Sequence, residues 1–93
     1  MSNQQQEDDK KKLKALIRVV PDFPKKNIQF QDISTLCSDA WGMKKCIEFM
    51  TAEYKGKKID YIAGFEARGF IFGPSLAIEL GCGFTMIRKP GKL

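Results

Sequence analysis

Between Ile59 and Arg88 the chain alternates in a way that admits few folds. Ile59 to Phe65 is a run rich in β-branched and aromatic residues, the composition of a strand. Glu66-Ala67-Arg68-Gly69 reads as a turn, Phe70 to Leu80 as a helix and Gly81 as its stop. Gly83 to Arg88 is a second strand, with Phe84, Met86 and Ile87 as its apolar content. Strand, helix and strand with such short joints predict a βαβ unit. Its two strands should be parallel and its crossover right-handed. In the helix Gly73 and Ala77 form a small face, and Pro74 is acceptable only near the helix start.

The preceding half is more irregular. Ser2 to Asp9 is polar, and residues 1–12 are expected to form a disordered polar tail, with 13–93 belonging to a single domain. Leu13, Leu16, Ile17 and Val20 have the spacing of an amphipathic helix, which Pro21 ends. The basic run Lys10-Lys11-Lys12, with Lys14, suits a solvated helix face or a nucleic-acid contact. Pro21-Asp22-Phe23-Pro24 is a stiff turn. Lys25 to Asp32 is extended or looped, with Ile28 and Phe30 alternating against Gln29 and Gln31. Asn27 suits a left-handed backbone position. Ser38 or Asp39 caps the next helix, whose apolar stripe is Met43, Cys46, Ile47, Met50 and Tyr54 and whose stop is Gly56.

Composition removes several classes. The 93 residues include no histidine, so neither a histidine-dependent triad nor a histidine-ligated metal site can be built from them. Cys37, Cys46 and Cys82 are odd in number and widely spaced, which argues against a disulfide scaffold or a zinc module and for reduced thiols in a cytosolic protein. No apolar run reaches membrane-spanning length, and the Gln-rich, acidic start does not read as a secretory signal. The net charge of +5 suits an anionic partner: nucleic acid, a membrane surface or a phosphorylated small molecule.

The turn at 66–69 lies at the carboxyl end of its strand, where open α/β sheets bind ligands. It joins Arg68 and Gly69 to a helix N-terminus, whose free N–H groups and dipole favour anions. The glycine admits a ligand close to the backbone, and arginine suits phosphate or pyrophosphate. On spacing alone the turn is equally readable as an ordinary βα turn with a surface arginine. Arg88, Lys89 and Lys92 form a second basic cluster, either a solvated edge or a clamp on the same polyphosphate. Phe23 and Phe30 are core residues or a stacking platform for a planar base.

One set of segments carries a resemblance. Pro21-Asp22-Phe23-Pro24, Ile28-Gln29-Phe30-Gln31-Asp32-Ile33, Asp60-Tyr61-Ile62-Ala63-Gly64, Arg68 to Ala77, Glu79-Leu80-Gly81 and Ile87 to Leu93 occur in the order and spacing of adenine phosphoribosyltransferases. The chain resembles the N-terminal portion of that family from about Leu13 to Leu93. The resemblance implies an α/β, phosphoribosyltransferase-like fold, a parallel sheet with flanking helices, reduced here to the N-terminal helices, a hood segment and the first βαβ unit. It implies purine salvage in the cytoplasm: adenine and phosphoribosyl pyrophosphate become AMP and pyrophosphate, with magnesium, in a homodimer. Neither nucleic acid nor a membrane is then an expected partner. Ile28, Gln29, Phe30 and Gln31 would bind adenine, through main-chain groups of Gln29 and Gln31 and stacking on Phe30. Glu66, Ala67, Arg68 and Gly69 would hold pyrophosphate, with a cis Glu66–Ala67 peptide. Arg88, Lys89 and Lys92 would reach the pyrophosphate of the neighbouring subunit.

The sequence departs from the family at Asn27, where glycine is common, and more seriously after Leu93. The family's mobile-loop glutamate, its acidic pair and its ribose-phosphate loop have no counterpart in the 93 residues. The expectation is therefore a truncated chain with no catalytic residue and no metal ligand of its own, inactive alone. Two other readings compete with a transferase. One is a non-catalytic adenine-binding or dimerising fragment that pairs with a full-length subunit. The other is a small basic nucleic-acid-binding domain, whose binding would fall steeply with salt.

Overall fold

The computed structural model describes residues 3–92. They fall into two compact units, Met1–Cys46 and Ile47–Leu93. The first unit holds helix α1 (Asn3–Ala15), strands β1 (Arg18–Val20) and β2 (Phe30–Asp32), the short helix α2 (Ser34–Cys37) and the start of α3 (Ala40–Tyr54). The second holds the rest of α3, β3 (Tyr61–Phe65), α4 (Arg68–Leu80) and β4 (Gly83–Ile87).

The expected polar tail is helical from Asn3 onward; Met1 and Ser2 lie outside the described residues. Gln4 Nε2 donates to Asp8 Oδ1 at 2.9 Å and Gln5 Nε2 to Asp9 Oδ1 at 3.0 Å, pairs one helical turn apart. Asp9 is buried, with its Oδ2 3.5 Å from Lys45 Nζ, and Lys12 Nζ sits 4.2 Å from the Trp41 ring centre. Contacts to α3 thus order a segment whose composition suggests none.

α1 also stops earlier than the spacing of Leu13, Leu16, Ile17 and Val20 predicts. Leu16 and Ile17 N–H groups close its last turn, and Arg18–Val20 then leaves the helix as a strand. β1 pairs antiparallel with β2 in the register Arg18–Asp32, Val19–Gln31 and Val20–Phe30. Two consecutive β-branched valines favour that state, and the Arg18–Asp32 ion pair at 2.7 Å closes it. Asp39 caps α3, its carboxylate accepting from the Gly42 N–H at 2.7 Å. Gly42 is buried where Leu16 and the Leu36 carbonyl crowd its missing side chain at 3.0 Å.

In the second unit β3 and β4 are parallel, in register from Tyr61–Gly83 to Phe65–Ile87, joined by α4 as the sequence predicts. Gly81 ends α4 with φ of 72°, a left-handed stop. α4 starts at Arg68, earlier than expected, so Pro74 is an interior residue rather than one near its start. The buried face of Gly73, Leu76 and Ala77 holds the helix together past the N–H that proline lacks. That face packs on Phe84: a Cβ on Gly73 would clash with Cε1 at the edge of the Phe84 ring. Phe70 and Phe84 meet edge to face at 6.1 Å. The opposite sheet face leaves Tyr61 73% and Phe65 66% exposed.

Candidate functional site

Parallel pairing brings the two strand ends together. Phe65 and Ile87 are the last registered pair, so Glu66 and Arg88 emerge side by side. Arg88 Nε donates to Glu66 Oε1 at 2.9 Å, although 22 residues separate them. The chain then turns back through Gly91, at φ of 91°, and the Lys92 N–H donates to the Lys89 carbonyl. This turn returns Lys92 Nζ to within 3.6 Å of Glu66 Oε2. The Arg88 guanidinium also lies 5.9 Å from the Phe70 ring centre, which tethers it to the start of α4.

These residues line an open cavity of about 470 Å³: Phe65, Glu66, Ala67, Ile87, Arg88, Lys89 and Lys92. Five of the seven residues expected to serve pyrophosphate therefore share one cavity. Arg68 and Gly69 begin α4 and are not part of its lining. The Glu66–Ala67 peptide is cis, and no side chain caps α4 at Ala67. The Phe70 and Ile71 N–H groups both donate to the Ala67 carbonyl, and the dipole of a helix favours an anion near its N-terminus. Gly64 and Gly69 let this turn close: a Cβ on Gly64 would stand 2.8 Å from the Gly69 carbonyl, and one on Gly69 2.9 Å from Gly64 Cα.

In the first unit, residues paired across β1 and β2 share a face, so Arg18, Val20, Phe30 and Asp32 lie together. With Phe23 they line a cavity of about 250 Å³. Phe23 and Phe30 meet edge to face at 5.4 Å, and Phe30 is 36% exposed. The loop between the strands closes on itself. Asp22, at φ of 55°, accepts the N–H of Asn27, at φ of 69°, and the Phe23 N–H donates to the Ile28 carbonyl. Asn27 is thus left-handed as expected, and the Phe23–Pro24 peptide is cis. Of the four residues expected to bind adenine, Phe30 lines the cavity; Ile28, Gln29 and Gln31 do not. Gln31 belongs to the other face of the ribbon, opposite Val19.

Sequence reasoning missed Arg18 and Asp32, because it placed Arg18 in a helix. The signal was the pair of opposite charges flanking the two β-ribbon segments. Asp32 accepts from the Ser34 N–H at 2.9 Å, and this bond, then the Ser34 hydroxyl, then Arg18, hold its carboxyl below the ordinary 3.8. A depressed folded-state pKa adds stability that is present above the unfolded value and is lost as pH falls through the folded one. Acidification from about pH 5 towards pH 3 is therefore expected to weaken the ribbon. Amide hydrogen exchange at Val19 and Gln31 should show the loss, and Asp32→Asn should remove that pH dependence. A ribbon equally protected at both pH values would contradict the assignment.

The cysteines are free, and burial, then Cys37, pushes the Cys46 thiol above its ordinary 9.0. Among the described residues no group of three or more His, Cys, Asp or Glu gathers for a metal ion. Glu66 is the one carboxylate lining the basic cavity, and it is engaged by Arg88 and Lys92. The cavity therefore does not suit a resident magnesium ion; magnesium commonly reaches such sites on substrate phosphates. No described helix is long and apolar enough to cross a membrane.

A parallel βαβ pair with its basic cavity at the strands' carboxyl ends, preceded by an aromatic ribbon, defines a phosphoribosyltransferase-like α/β fold. The particular relatives are adenine phosphoribosyltransferases. The chain is 54% identical over 81 residues to that of Geotalea daltonii, covering 87% of this chain and 47% of the relative. The crystal structure of adenine phosphoribosyltransferase from Thermoanaerobacter pseudethanolicus superimposes with a TM-score of 0.85 at 49% identity, over 89% of this chain and 49% of that one. The enzyme from Giardia lamblia complexed with 9-deazaadenine does so at 0.82 and 43% identity, over 87% of this chain and 45% of that one. No family model matches the chain. In sequence and fold the chain is homologous to adenine phosphoribosyltransferase, and it spans about half the length of the curated relatives it matches.

Proposed function

We propose that this chain supplies the base- and pyrophosphate-recognition elements of an adenine phosphoribosyltransferase. The whole protein would act in purine salvage in the cytoplasm, converting adenine and phosphoribosyl pyrophosphate to AMP and pyrophosphate. The observation that carries this reading is the gathering of Arg88, Lys89 and Lys92 in one cavity at the parallel strand ends. Departure of pyrophosphate leaves an oxocarbenium-like sugar, and fixed cations around the leaving anion stabilise that charge separation without a nucleophile or histidine. Arg68 and the first N–H groups of α4 add a second anion-binding element beside the cavity lining.

On the ribbon, Phe30 would stack on adenine while main-chain groups of Gln29 and Gln31 read its edge. The Giardia lamblia relative is complexed with an adenine analogue, 9-deazaadenine, which supports adenine as the base. Magnesium would arrive on the phosphoribosyl pyrophosphate. In the whole protein a homodimer would let Arg88, Lys89 and Lys92 serve the pyrophosphate of this cavity or that of the neighbouring subunit.

Titration calorimetry with inorganic pyrophosphate tests the reading. Arg68→Glu, an exposed position, should weaken binding about tenfold or more while leaving the circular dichroism spectrum unchanged. Unaltered affinity would remove Arg68 from the site.

A further inference from the structure

We propose that the Glu66 side chain is an internal competitor for the pyrophosphate site, an anion built into the chain that the incoming ligand must displace. The proposal rests on the reading of this cavity as a pyrophosphate site and gives Glu66 a role opposite to that of its loop's backbone. The Glu66 carboxylate contacts two of the three cations that line the cavity, Arg88 at 2.9 Å and Lys92 at 3.6 Å. Its side chain keeps 32% of its exposure and that of Arg88 33%, so the pair lies at the cavity wall and remains within reach of a ligand.

Displacement follows from the chemistry of the contacts. A phosphate that takes Arg88 through its Nε–H, or that bridges Arg88 and Lys92, meets the carboxylate at the place where it now sits, and one that binds the remaining N–H groups lies against its like charge. Because Glu66 is tethered, its effective concentration at those groups is on the order of millimolar or above. A small monoanion at lower concentration does not compete with it. A polyanion that meets Arg88, Lys89 and Lys92 together does, since it gains several charge-assisted bonds for the two it replaces. Glu66 would thereby keep weakly charged anions out while conceding part of the affinity for pyrophosphate.

The alternative role for Glu66 is to position Arg88, and one substitution separates the two. Glu66→Gln removes the charge but keeps an amide oxygen able to accept from Arg88 Nε, so the geometry survives. Calorimetric titration of the 93-residue chain with inorganic pyrophosphate is expected to give a dissociation constant about tenfold lower in Glu66→Gln than in the unaltered chain. Inorganic phosphate, silent with the unaltered chain, should give measurable heat with the variant. Equal or weaker pyrophosphate binding by the variant would overturn the competitor role and leave the pyrophosphate reading standing. Absence of pyrophosphate binding by both proteins would overturn the reading of the cavity, and the competitor with it. A circular dichroism comparison ensures that the two folded proteins are compared.

Discussion

Gly73→Ala is expected to destabilise the protein by about 3 kcal/mol, at the upper end of what one added methyl costs in a packed core. The methyl would collide with Phe84 Cε1 at the ring edge, and two further Phe84 atoms would lie at 2.9 Å. Phe84 cannot simply turn aside. The same ring fills the place of a Cβ on Gly64, which would stand 2.8 Å from it, and meets Phe70 edge to face. Relief requires α4 to lift from the β3–β4 pair, which would expose Leu76 and Ala77, the buried apolar residues among those described in this unit. A small domain has little stability in reserve, so this loss is a large share of the total. Urea denaturation followed by circular dichroism measures it. The double variant Gly73→Ala with Phe84→Leu should recover part of the loss, because the two changes act on one contact. A single variant within about 0.5 kcal/mol of the unaltered protein would show that α4 does not pack on Phe84 as described.

Arg88→Glu is expected to reduce pyrophosphate affinity on the order of a hundredfold while leaving the fold intact. The change removes the cation nearest the strand ends and places a second carboxylate beside Glu66, where 2.9 Å now separates opposite charges. Two carboxylates would then face Lys89 and Lys92 in the cavity, and the attraction for a polyanion largely cancels. Lys92→Glu should do less, because its side chain is 54% exposed and screened by solvent. Calorimetry with inorganic pyrophosphate at fixed salt separates the two variants. A loss of under threefold in Arg88→Glu would place the anion elsewhere.

Much of the second unit was readable from its residues. The β-branched runs, the helix stop at Gly81 and the small face of Gly73 and Ala77 all reflect local sterics, and all appear as expected. Pro74 by itself argues for a helix start, whereas in α4 the buried helix face outweighs one missing hydrogen bond. The first unit was harder. Leu13, Leu16, Ile17 and Val20 have helical spacing, yet Val19 and Val20 are equally good strand formers. Pairing with Phe30–Asp32 decided between them. For the candidate site, the basic residues and the turn were legible as a motif, while the cavity that joins five of them was not.

By itself the sequence determined the parallel βαβ unit, the left-handed Asn27, the helix stop at Gly81, and the kinship with adenine phosphoribosyltransferases. Each depends on dihedral preference, periodicity or motif order, which are properties of neighbouring residues. Only the tertiary structure decided that Arg18 leaves the helix for Asp32, 14 residues away, and that Glu66 occupies Arg88, 22 residues away. It likewise decided that a polar N-terminal segment is helical, through Asp9 against Lys45 and Lys12 over Trp41. The physical reason is common to all three. An ion pair or cation–π contact contributes only when its groups are within a few ångströms, and that distance is set by the path of the whole chain between them.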